Sequence, residues 1–392
     1  RWTNLPVIVK PNAGLPDPVT NTYNFTPEKF SACIRPFVEM GAVVFGGCCG
    51  TTPAHIKATS ELLKTLSPVG RHPAIPPAVC TANKTVIITE PRIIGERINP
   101  TGKKRMKQAL LDMDMDYLRG EAISQTDAGA DILDVNVGTP GIDEAAVLPQ
   151  AVQAIMEVTD LPLQLDSSDP AALEAALRIY PGKPIVNSVN GKEESLETIL
   201  PLVEHYGACI VGLTLDENGI PPTAAERFAI GARILSRAEA RGIPKADVFL
   251  DCLTLTASTG ANGPAETLTA VRRVHEELGL QTVLGVSNIS FGLPNRPLIN
   301  RSFLNMALQC GLSLPILNPM AEGMMDTVRA YRMLAGFDEN CTNFIAAYQN
   351  AGTAAPAAPT AQNDNLTLEG AASLASNYGF IKNGSTLTTD YI

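Results

Sequence analysis

Eight short apolar runs, each followed by a helix-length amphipathic segment, constrain the fold of this chain more than any other feature. The runs lie at residues 93–99, 130–138, 161–168, 184–191, 208–216, 248–255, 282–290 and 312–319. Such alternation predicts α/β structure, with parallel strands joined by crossover helices. Eight units within about 245 residues match the usual size of a (β/α)8 TIM barrel, which we predict over residues 92–336. A doubly wound open sheet usually has fewer strands, and its Gly-x-Gly-x-x-Gly turn does not follow the first run.

The residues on either side of the predicted barrel follow other patterns. Residues 1–67 contain two further strand–helix units, which are too few to close a barrel. We therefore expect the C-terminal end of a second, incomplete barrel there, in a chain cut from a longer one. Residues 68–91 are rich in proline and are expected to form a linker. Residues 337–392 include low-complexity sequence and are expected to be linker and tail, with one helix over 366–380.

Composition and charge narrow the class of function. The chain is 45 % hydrophobic and 18 % charged, which is typical of a globular protein with a large core. Its formal net charge of −10 argues against nucleic acid and anionic membranes as partners, because no basic excess exists to displace counterions from phosphates. No apolar run approaches the roughly 20 residues that span a bilayer. Eight scattered cysteines and no signal-peptide pattern predict a cytoplasmic location.

Carboxylates and carboxamides follow nearly all of the predicted strands. In a (β/α)8 barrel, chemistry takes place at the C-terminal ends of the strands. The residues at these ends are Glu96, Asn99, Asp134, Asn136, Asp166, Asn187, Asn190, Asp216, Asp251, Asn288 and Asn318. A single Asp or Asn at such a position most often caps a helix or forms a turn, as we expect for Asp143 and Asp169. Recurrence at most of eight ends favours a binding site instead, because caps would include more Ser and Thr.

The residue types at these ends also limit the chemistry. No lysine or histidine lies among them, which excludes a Schiff-base lysine, a Ser-His-Asp triad and a His-rich metal site. Carboxylates accept hydrogen bonds, and carboxamides both donate and accept them. Together they suit a flat heterocycle with alternating donors and acceptors, such as a pterin or a purine. A carboxylate against the donor edge of such a ring makes a charge-assisted contact, roughly twice as strong as a neutral one.

Six motifs lie in order along the predicted barrel. They are IIGERINPTG, DILDVNVGTPGIDE, LQLDSS, PIVNSVNG, GLTLDENGIP and VLGVSNISFGLPNRPLINRSF. They resemble the motifs of the methyltetrahydrofolate-binding barrel in the cobalamin-dependent methionine synthase family. The stretch VFGGCCGTTPAHI, at residues 44–56, resembles the last strand and helix of the homocysteine barrel that precedes the folate barrel in that family. The resemblance implies a pterin-binding barrel preceded by a remnant of a homocysteine-binding barrel.

The resemblance implies a role for each matching residue. The residues that would bind or line the pterin pocket are Glu96, Asn99, Asn136, Asp166, Asn187, Asp251, Asn288 and Arg296. Asp166, Asn187 and Asp251 would hold the ring. Asn288 would be catalytic, because it would lie beside N5, which carries the methyl group, and a carboxamide can follow the change at N5 by donating or accepting. No strong general acid is evident, so we expect the proton to arrive from solvent.

The activity that the resemblance implies is transfer of the methyl group of 5-methyltetrahydrofolate to cob(I)alamin, in methionine biosynthesis. Cobalamin would be carried by a domain or protein outside this chain, because no Asp-x-His-x-x-Gly signature is present. Cys48 and Cys49 would form only part of a zinc site, since the third cysteine of the family comes from an earlier strand. Homocysteine methylation by this chain alone is therefore not expected.

Three other functions remain open at this point. One is the related methyltransferase that serves a corrinoid iron–sulfur protein, although the GGCCG stretch favours methionine synthase. Another is dihydropteroate synthase, which would need a basic phosphate-binding set and whose pattern differs from SNISFGLPNR. The third is a non-catalytic, folate-binding relic of a truncated gene.

Overall fold

Two strand–helix units come first in the chain. The computed structural model describes residues 5–70, 75–259 and 262–349, and it divides the chain into a unit ending at residue 337 and a second unit from residue 338. The first elements are β1 (Ile8–Val9), α1 (Pro27–Glu39), β2 (Val44–Phe45) and α2 (Pro53–Leu63). The strands pair in parallel, and the helices bury an apolar cluster built on Phe30, Ile34 and Val38. The prediction of two strand–helix units is confirmed.

A β-hairpin closes the N-terminal end of the barrel. Its strands, β3 (Ala78–Cys80) and β4 (Thr85–Ile87), pair antiparallel. Val79, Val86 and Ile88 are buried against the inward-facing residues of the barrel strands, which are Ile94, Ile132, Ile185, Cys209, Phe249, Val283 and Leu314. Residues 78–88 of the segment predicted as a linker thus form a hairpin that packs on the barrel. Prolines dominate the local pattern, whereas the burial comes from a few apolar residues whose partners lie far along the chain.

Eight parallel strands form the barrel that the sequence predicts. They are β5 (Ile94–Ile98), β6 (Ile132–Asn136), β7 (Leu163–Asp166), β8 (Ile185–Asn190), β9 (Cys209–Leu213), β10 (Val248–Asp251), β11 (Gln281–Gly285) and β12 (Leu314–Leu317). Each strand pairs with the next in the chain, and β12 pairs with β5 to close the barrel. The strands are nearly continuous apolar runs because both faces of a parallel sheet are covered.

Crossover helices cover the outside of the barrel. They are α3 (Lys104–Leu111), α4 (Met115–Asp127), α5 (Glu144–Met156), α6 (Pro170–Ile179), α7 (Glu193–Tyr206), α8 (Ala224–Ala240), α9 (Gly263–Arg273), α10 (Arg296–Gln309) and α11 (Met324–Leu334). Asp143 and Asp169 cap α5 and α6 through hydrogen bonds to backbone N–H groups of the first turn, as predicted. The second unit contains α12 (Thr342–Tyr348), and the helix predicted over 366–380 lies outside the described residues. Among the helices of the described ranges, none combines the length and apolarity needed to cross a bilayer.

Candidate functional site

Three neighbouring strand ends place polar side chains in one row at the mouth of the barrel. Asn136 of β6 is in register with Asp166 of β7, and Asp166 is in register with Asn187 of β8. Asn136 Nδ2 donates to Asp166 Oδ2 at 2.9 Å, while Asn136 Oδ1 accepts from the backbone N–H of Gly138 at 2.8 Å. Asn136 is thus held by its own turn and orients the carboxyl group of Asp166. Burial raises the pKa of Asp166 to about 6, although the bond from Asn136 acts in the opposite direction.

A cleft of about 400 Å³ opens beside this row. Its polar lining comes from the ends of β7 and β8 and from α7, and it includes Asp166, Ser167, Ser168, Asn187, Ser188, Asn190 and Ser195. This volume lies within the range of about 300–1,000 Å³ that small-molecule sites occupy. A second cleft of about 510 Å³ lies at the β9–α8 loop, and Asp216 is the one predicted strand-end residue in its lining.

Asp251, at the end of β10, carries a second partly buried carboxyl group. Its Oδ1 accepts from the backbone N–H of Leu253 at 2.7 Å. Leu253 has a left-handed backbone with a φ of 60°, which turns that N–H back toward the carboxyl group. Burial raises the pKa of Asp251 to about 7, against the lowering effects of the Leu253 bond and of the Arg227 charge. Asp251 therefore changes charge close to neutral pH.

Glu96 joins the first strand of the barrel to the turn after β11. Its Oε1 accepts from Ser287 Oγ at 3.1 Å, and Lys103 Nζ donates to the backbone carbonyls of Glu96 and Asn99 at 2.8 and 3.3 Å. Burial raises the pKa of Glu96 and lowers that of Lys103. The opposite charge of each residue partly counteracts the pKa shift that burial causes in the other. The resemblance assigned no role to Lys103 or Ser287. The available signal was that Ser287 lies within the VSN motif and that Lys103 directly follows the GERINPTG stretch.

A deeper pair of polar side chains lies below the row in the barrel interior. Gln164 Nε2 donates to Asp134 Oδ1 at 2.8 Å, and the Asn99 side chain also hydrogen bonds to Asp134. Burial raises the pKa of Asp134 well above its usual range, and the neighbouring Asp166 carboxylate raises it further. An ionised Asp166 therefore disfavours the charged form of the buried Asp134.

The turn after β11 presents Asn288 at the mouth. A short 3-10 helix spans Val286–Ser290, and the side chain of Asn288 is exposed. Arg296 donates to Ser290 Oγ at 2.9 Å and to the Ser287 carbonyl at 3.1 Å, and its guanidinium lies 4.9 Å from the centre of the Phe291 ring. Arg296 therefore braces the turn that carries Asn288 while leaving its amide accessible from outside.

Three other strand-end residues bind their own turns. Asn190 Oδ1 accepts from the Lys192 N–H at 2.9 Å, Asp216 Oδ1 accepts from the Asn218 N–H at 2.9 Å, and Asn318 Oδ1 accepts from the Met320 N–H at 3.1 Å. This is the turn-forming role that Asp and Asn most often have after a strand. The sequence pattern alone does not separate these residues from Asp166 and Asp251.

The two adjacent cysteines lie in the N-terminal part of the chain. Cys48 and Cys49 are exposed, and their Sγ atoms are 3.8 Å apart. Within the described ranges, no set of three or more His, Cys, Asp or Glu side chains is arranged to hold a metal ion. A catalytic zinc ion needs about three protein ligands, so the described residues do not fit a complete zinc site.

A closed (β/α)8 barrel with carboxylates and carboxamides at its mouth matches a known class of enzyme. The model of the family "Pterin binding enzyme" matches residues 95–318, and this chain belongs to that family. The model of the family "Homocysteine S-methyltransferase" matches residues 1–63. Both matches agree with the resemblance drawn from the motifs, in identity and in order.

Sequence relatives extend this match beyond the barrel. The methionine synthase of Mycobacterium tuberculosis is 32 % identical over 337 residues, which cover 81 % of this chain and 28 % of that protein. That of Mycobacterium leprae is 32 % identical over 342 residues, with the same coverage. The chain thus spans little more than a quarter of the length of these relatives. The methylcorrinoid:tetrahydrofolate methyltransferase of Eubacterium limosum is 29 % identical over 263 residues, covering 66 % of this chain and 96 % of that protein.

Solved structures share the barrel. The dihydropteroate synthase of Xanthomonas albilineans with 4-aminobenzoic acid has a TM-score of 0.53 at 19 % identity, covering 66 % of this chain and 98 % of that chain. The Stenotrophomonas maltophilia enzyme has a TM-score of 0.53 at 18 % identity, with the same coverage. At this level of identity the likeness confirms the predicted fold class and carries no statement about activity.

Proposed function

We propose that this chain binds 5-methyltetrahydrofolate at the barrel mouth and transfers its methyl group to cob(I)alamin, as the folate module of a methionine synthase. The observation that carries the proposal is the row of Asn136, Asp166 and Asn187, with Asp251 two strands beyond, at the mouth of a pterin-binding barrel. The methionine synthase relatives and the homocysteine S-methyltransferase match at residues 1–63 support the choice of partner reaction.

Recognition of the pterin follows from the chemistry of the row. The pyrimidine edge of a pterin presents two adjacent N–H donors, and a carboxylate accepts both with charge-assisted bonds. Asp166 and Asp251 supply such acceptors, and Asn187 supplies a group that can donate to the ring oxygen or accept from a ring N–H. Burial raises the pKa of both carboxyl groups toward neutral pH. Hydrogen bonds from the N–H groups of the ligand favour the ionised form, so each carboxyl group ionises when the ligand binds.

Methyl transfer requires stabilisation of the electron pair that develops on N5 of the pterin. The bond between N5 and the methyl carbon breaks, and its electron pair stays on N5, which then takes up a proton. The exposed amide of Asn288, on a turn braced by Arg296 and Ser287, is the group proposed to hydrogen bond to N5 during this change. A corrinoid carried by another domain or protein would supply the methyl acceptor, and exposed Asn288 and Phe291 leave this face of the turn open to it.

A second candidate is a barrel that works with a separate corrinoid protein. The E. limosum relative is covered over 96 % of its length, so that enzyme is little longer than the stretch it shares with this chain, and its name describes transfer from a methylcorrinoid to tetrahydrofolate. The two candidate functions share the pterin site. They differ in the direction of methyl transfer and in the partner that carries the corrinoid.

We also propose that residues 1–67 are the end of a homocysteine-binding barrel and that residues 92–336 form the folate barrel. The assignment of Cys48 and Cys49 to part of an incomplete zinc site and the cytoplasmic location stay predictions.

The decisive experiment measures methyl transfer from 5-methyltetrahydrofolate to added cob(I)alamin by the loss of the cob(I) absorbance. We expect turnover by the wild type, a fall of about 10²-fold or more in Asn288→Ala with little change in folate affinity, and no large effect in Asn318→Ala. Asn318 is the matched control because its side chain binds its own turn and it does not line the cleft. Folate binding without turnover would favour the alternative that the chain is a non-catalytic, folate-binding relic. Absence of folate binding would refute the proposed site. Running the assay from a methylated corrinoid to tetrahydrofolate tests the second candidate.

A further inference from the structure

Arg227 of α8 is the largest fully buried side chain in the described ranges, and the functions proposed above leave it without a role. Its exposed fraction is 1 %. A guanidinium keeps its charge in proteins and presents five N–H donors. Burying such a charge is unfavourable unless its donors are satisfied and its charge is balanced. The position of Arg227 therefore calls for a specific account.

The hydrogen bonds of Arg227 join the loop before α8 to the turn after β10. Nε donates to the Pro221 carbonyl at 2.9 Å. Nη1 donates to the Cys252 and Leu253 carbonyls at 3.0 and 3.1 Å, and to Thr267 Oγ1 of α9 at 2.9 Å. All four acceptors are neutral, so these bonds satisfy donors without balancing the charge. Two of the four fix consecutive carbonyls of the turn that follows Asp251.

That turn is the one that orients the Asp251 carboxyl group. Leu253 has a left-handed backbone, which a leucine adopts only when its surroundings hold it there. The Leu253 N–H donates to Asp251 Oδ1 at 2.7 Å. The Cys252 carbonyl belongs to the same peptide group as this N–H, and the Leu253 carbonyl belongs to the next one. Because Arg227 binds both carbonyls, its guanidinium stabilises the one backbone conformation that directs the N–H at the carboxyl group.

The charge of Arg227 acts on the same carboxyl group. The carboxyl groups whose charges act on Arg227 are those of Glu266 and Asp251. Glu266 is engaged at the start of α8, where its Oε2 accepts from the Ala224 N–H at 2.7 Å. Burial favours the protonated form of Asp251, and Arg227 opposes that effect. An ionised Asp251 is the form that accepts two N–H bonds from a ligand.

We propose that Arg227 is a positioning residue for pterin recognition, which holds the Cys252–Leu253 turn so that the Asp251 carboxyl group is oriented toward the donor edge of the ligand. The inference rests on the proposed pterin-binding function. Arg227 touches no reacting atom, and it acts through Asp251 alone.

The first test needs no ligand. Carbon-13 NMR of protein labelled at the aspartate carboxyl carbons follows the titration of Asp251, whose signal is assigned by its loss in Asp251→Asn. We expect the Asp251 midpoint to rise in Arg227→Met, because the substitution removes a positive charge that favours the ionised carboxyl group and frees the turn whose N–H binds it. The control is Arg233→Met on the same helix, because Arg233 is exposed and bonds to the Gly191 carbonyl. It should leave the midpoint unchanged.

The second test is calorimetric titration with 5-methyltetrahydrofolate between about pH 6 and pH 9. Arg227→Met should bind folate about tenfold more weakly near pH 7.5. Arg227→Lys keeps the charge but loses the forked hydrogen bonds. It should bind folate more weakly at every pH, while the titration midpoint of Asp251 stays close to that of the wild type. If Arg227→Met does not fold, Arg227→Lys carries the test. Unchanged midpoints together with unchanged affinities would overturn the inference. A wild type that binds no folate would refute the proposed function, while the NMR titration would still decide whether Arg227 ionises Asp251.

Discussion

Asp251→Asn should stabilise the fold while removing pterin affinity. The pKa of Asp251 is raised from 3.8 to about 7, so between these two values the folded state binds more protons than the unfolded state. Stability therefore falls as pH rises through this window, because ionising the carboxyl group costs more in the folded protein than in the unfolded chain. An asparagine side chain carries no charge at any pH, and its oxygen can still accept from the Leu253 N–H, so the substitution removes this cost and keeps the bond.

The size of the gain follows from the shift. At pH values above the folded pKa, a shift of about 3 units destabilises the folded state by about 4 kcal/mol. Near pH 5 the folded carboxyl group is still protonated, and the destabilisation is only about 1.6 kcal/mol. An unfolding entropy of about 2.1 cal/mol/K per residue gives a shift of roughly 1.4 °C per kcal/mol for a unit of about 330 residues, so the melting temperature near pH 8 should rise by about 6 °C. Loss of the charge-assisted bonds to the pterin should weaken binding by about 10- to 100-fold, from the roughly 1.5–3 kcal/mol of a hydrogen bond to a charged group.

Urea unfolding followed by circular dichroism near pH 5 and pH 8, with calorimetric titration of 5-methyltetrahydrofolate, measures both effects. Asp143→Asn is the matched control, because Asp143 is an exposed helix cap and asparagine caps equally well. It should change stability by no more than about 0.5 kcal/mol at either pH. The reasoning is refuted if Asp251→Asn is no more stable than the wild type near pH 8, or if its gain is as large near pH 5.

Three further predictions concern other parts of the same unit. In the wild type, folate affinity should rise with pH and level off above about pH 7, because the ligand takes the ionised form of Asp251; a flat calorimetric profile between pH 6 and pH 8 would contradict this. Arg296→Met should slow methyl transfer more than it weakens folate binding, because it frees the turn that carries Asn288; equal losses in rate and affinity would assign Arg296 to ligand binding instead. Val79→Ala should destabilise the barrel by roughly 1–3 kcal/mol in urea unfolding, because Val79 is fully buried in the hairpin, whereas exposed Val69→Ala should have little effect. Equal effects of the two valine substitutions would mean that the hairpin is not part of the barrel core.

Local patterns were enough to predict the barrel and the polar character of its mouth. Apolar runs of strand length, helical periodicity between them and the polar residue after each run are properties of contiguous sequence, and each barrel strand of the structure lies within its predicted run or within one residue of it. The motifs then indicated the pterin-binding family, which the family match confirms. The roles of individual site residues remain predictions, because they depend on where a ligand lies.

The sequence by itself thus determined the order and number of strands and the chemistry available at their ends, because strand and helix formation depend on residues close together in the chain. Only the tertiary structure decided which polar residues bind each other and which bind their own turns: Asp166 meets Asn136 of the neighbouring strand, whereas Asn190 binds its own loop. Ser287 and Glu96 lie 191 residues apart in the chain, and their bond exists only because β12 pairs with β5 and closes the barrel. Arg227 likewise reads as an ordinary charge on an amphipathic helix, and its burial follows from packing against turns that come from other strands.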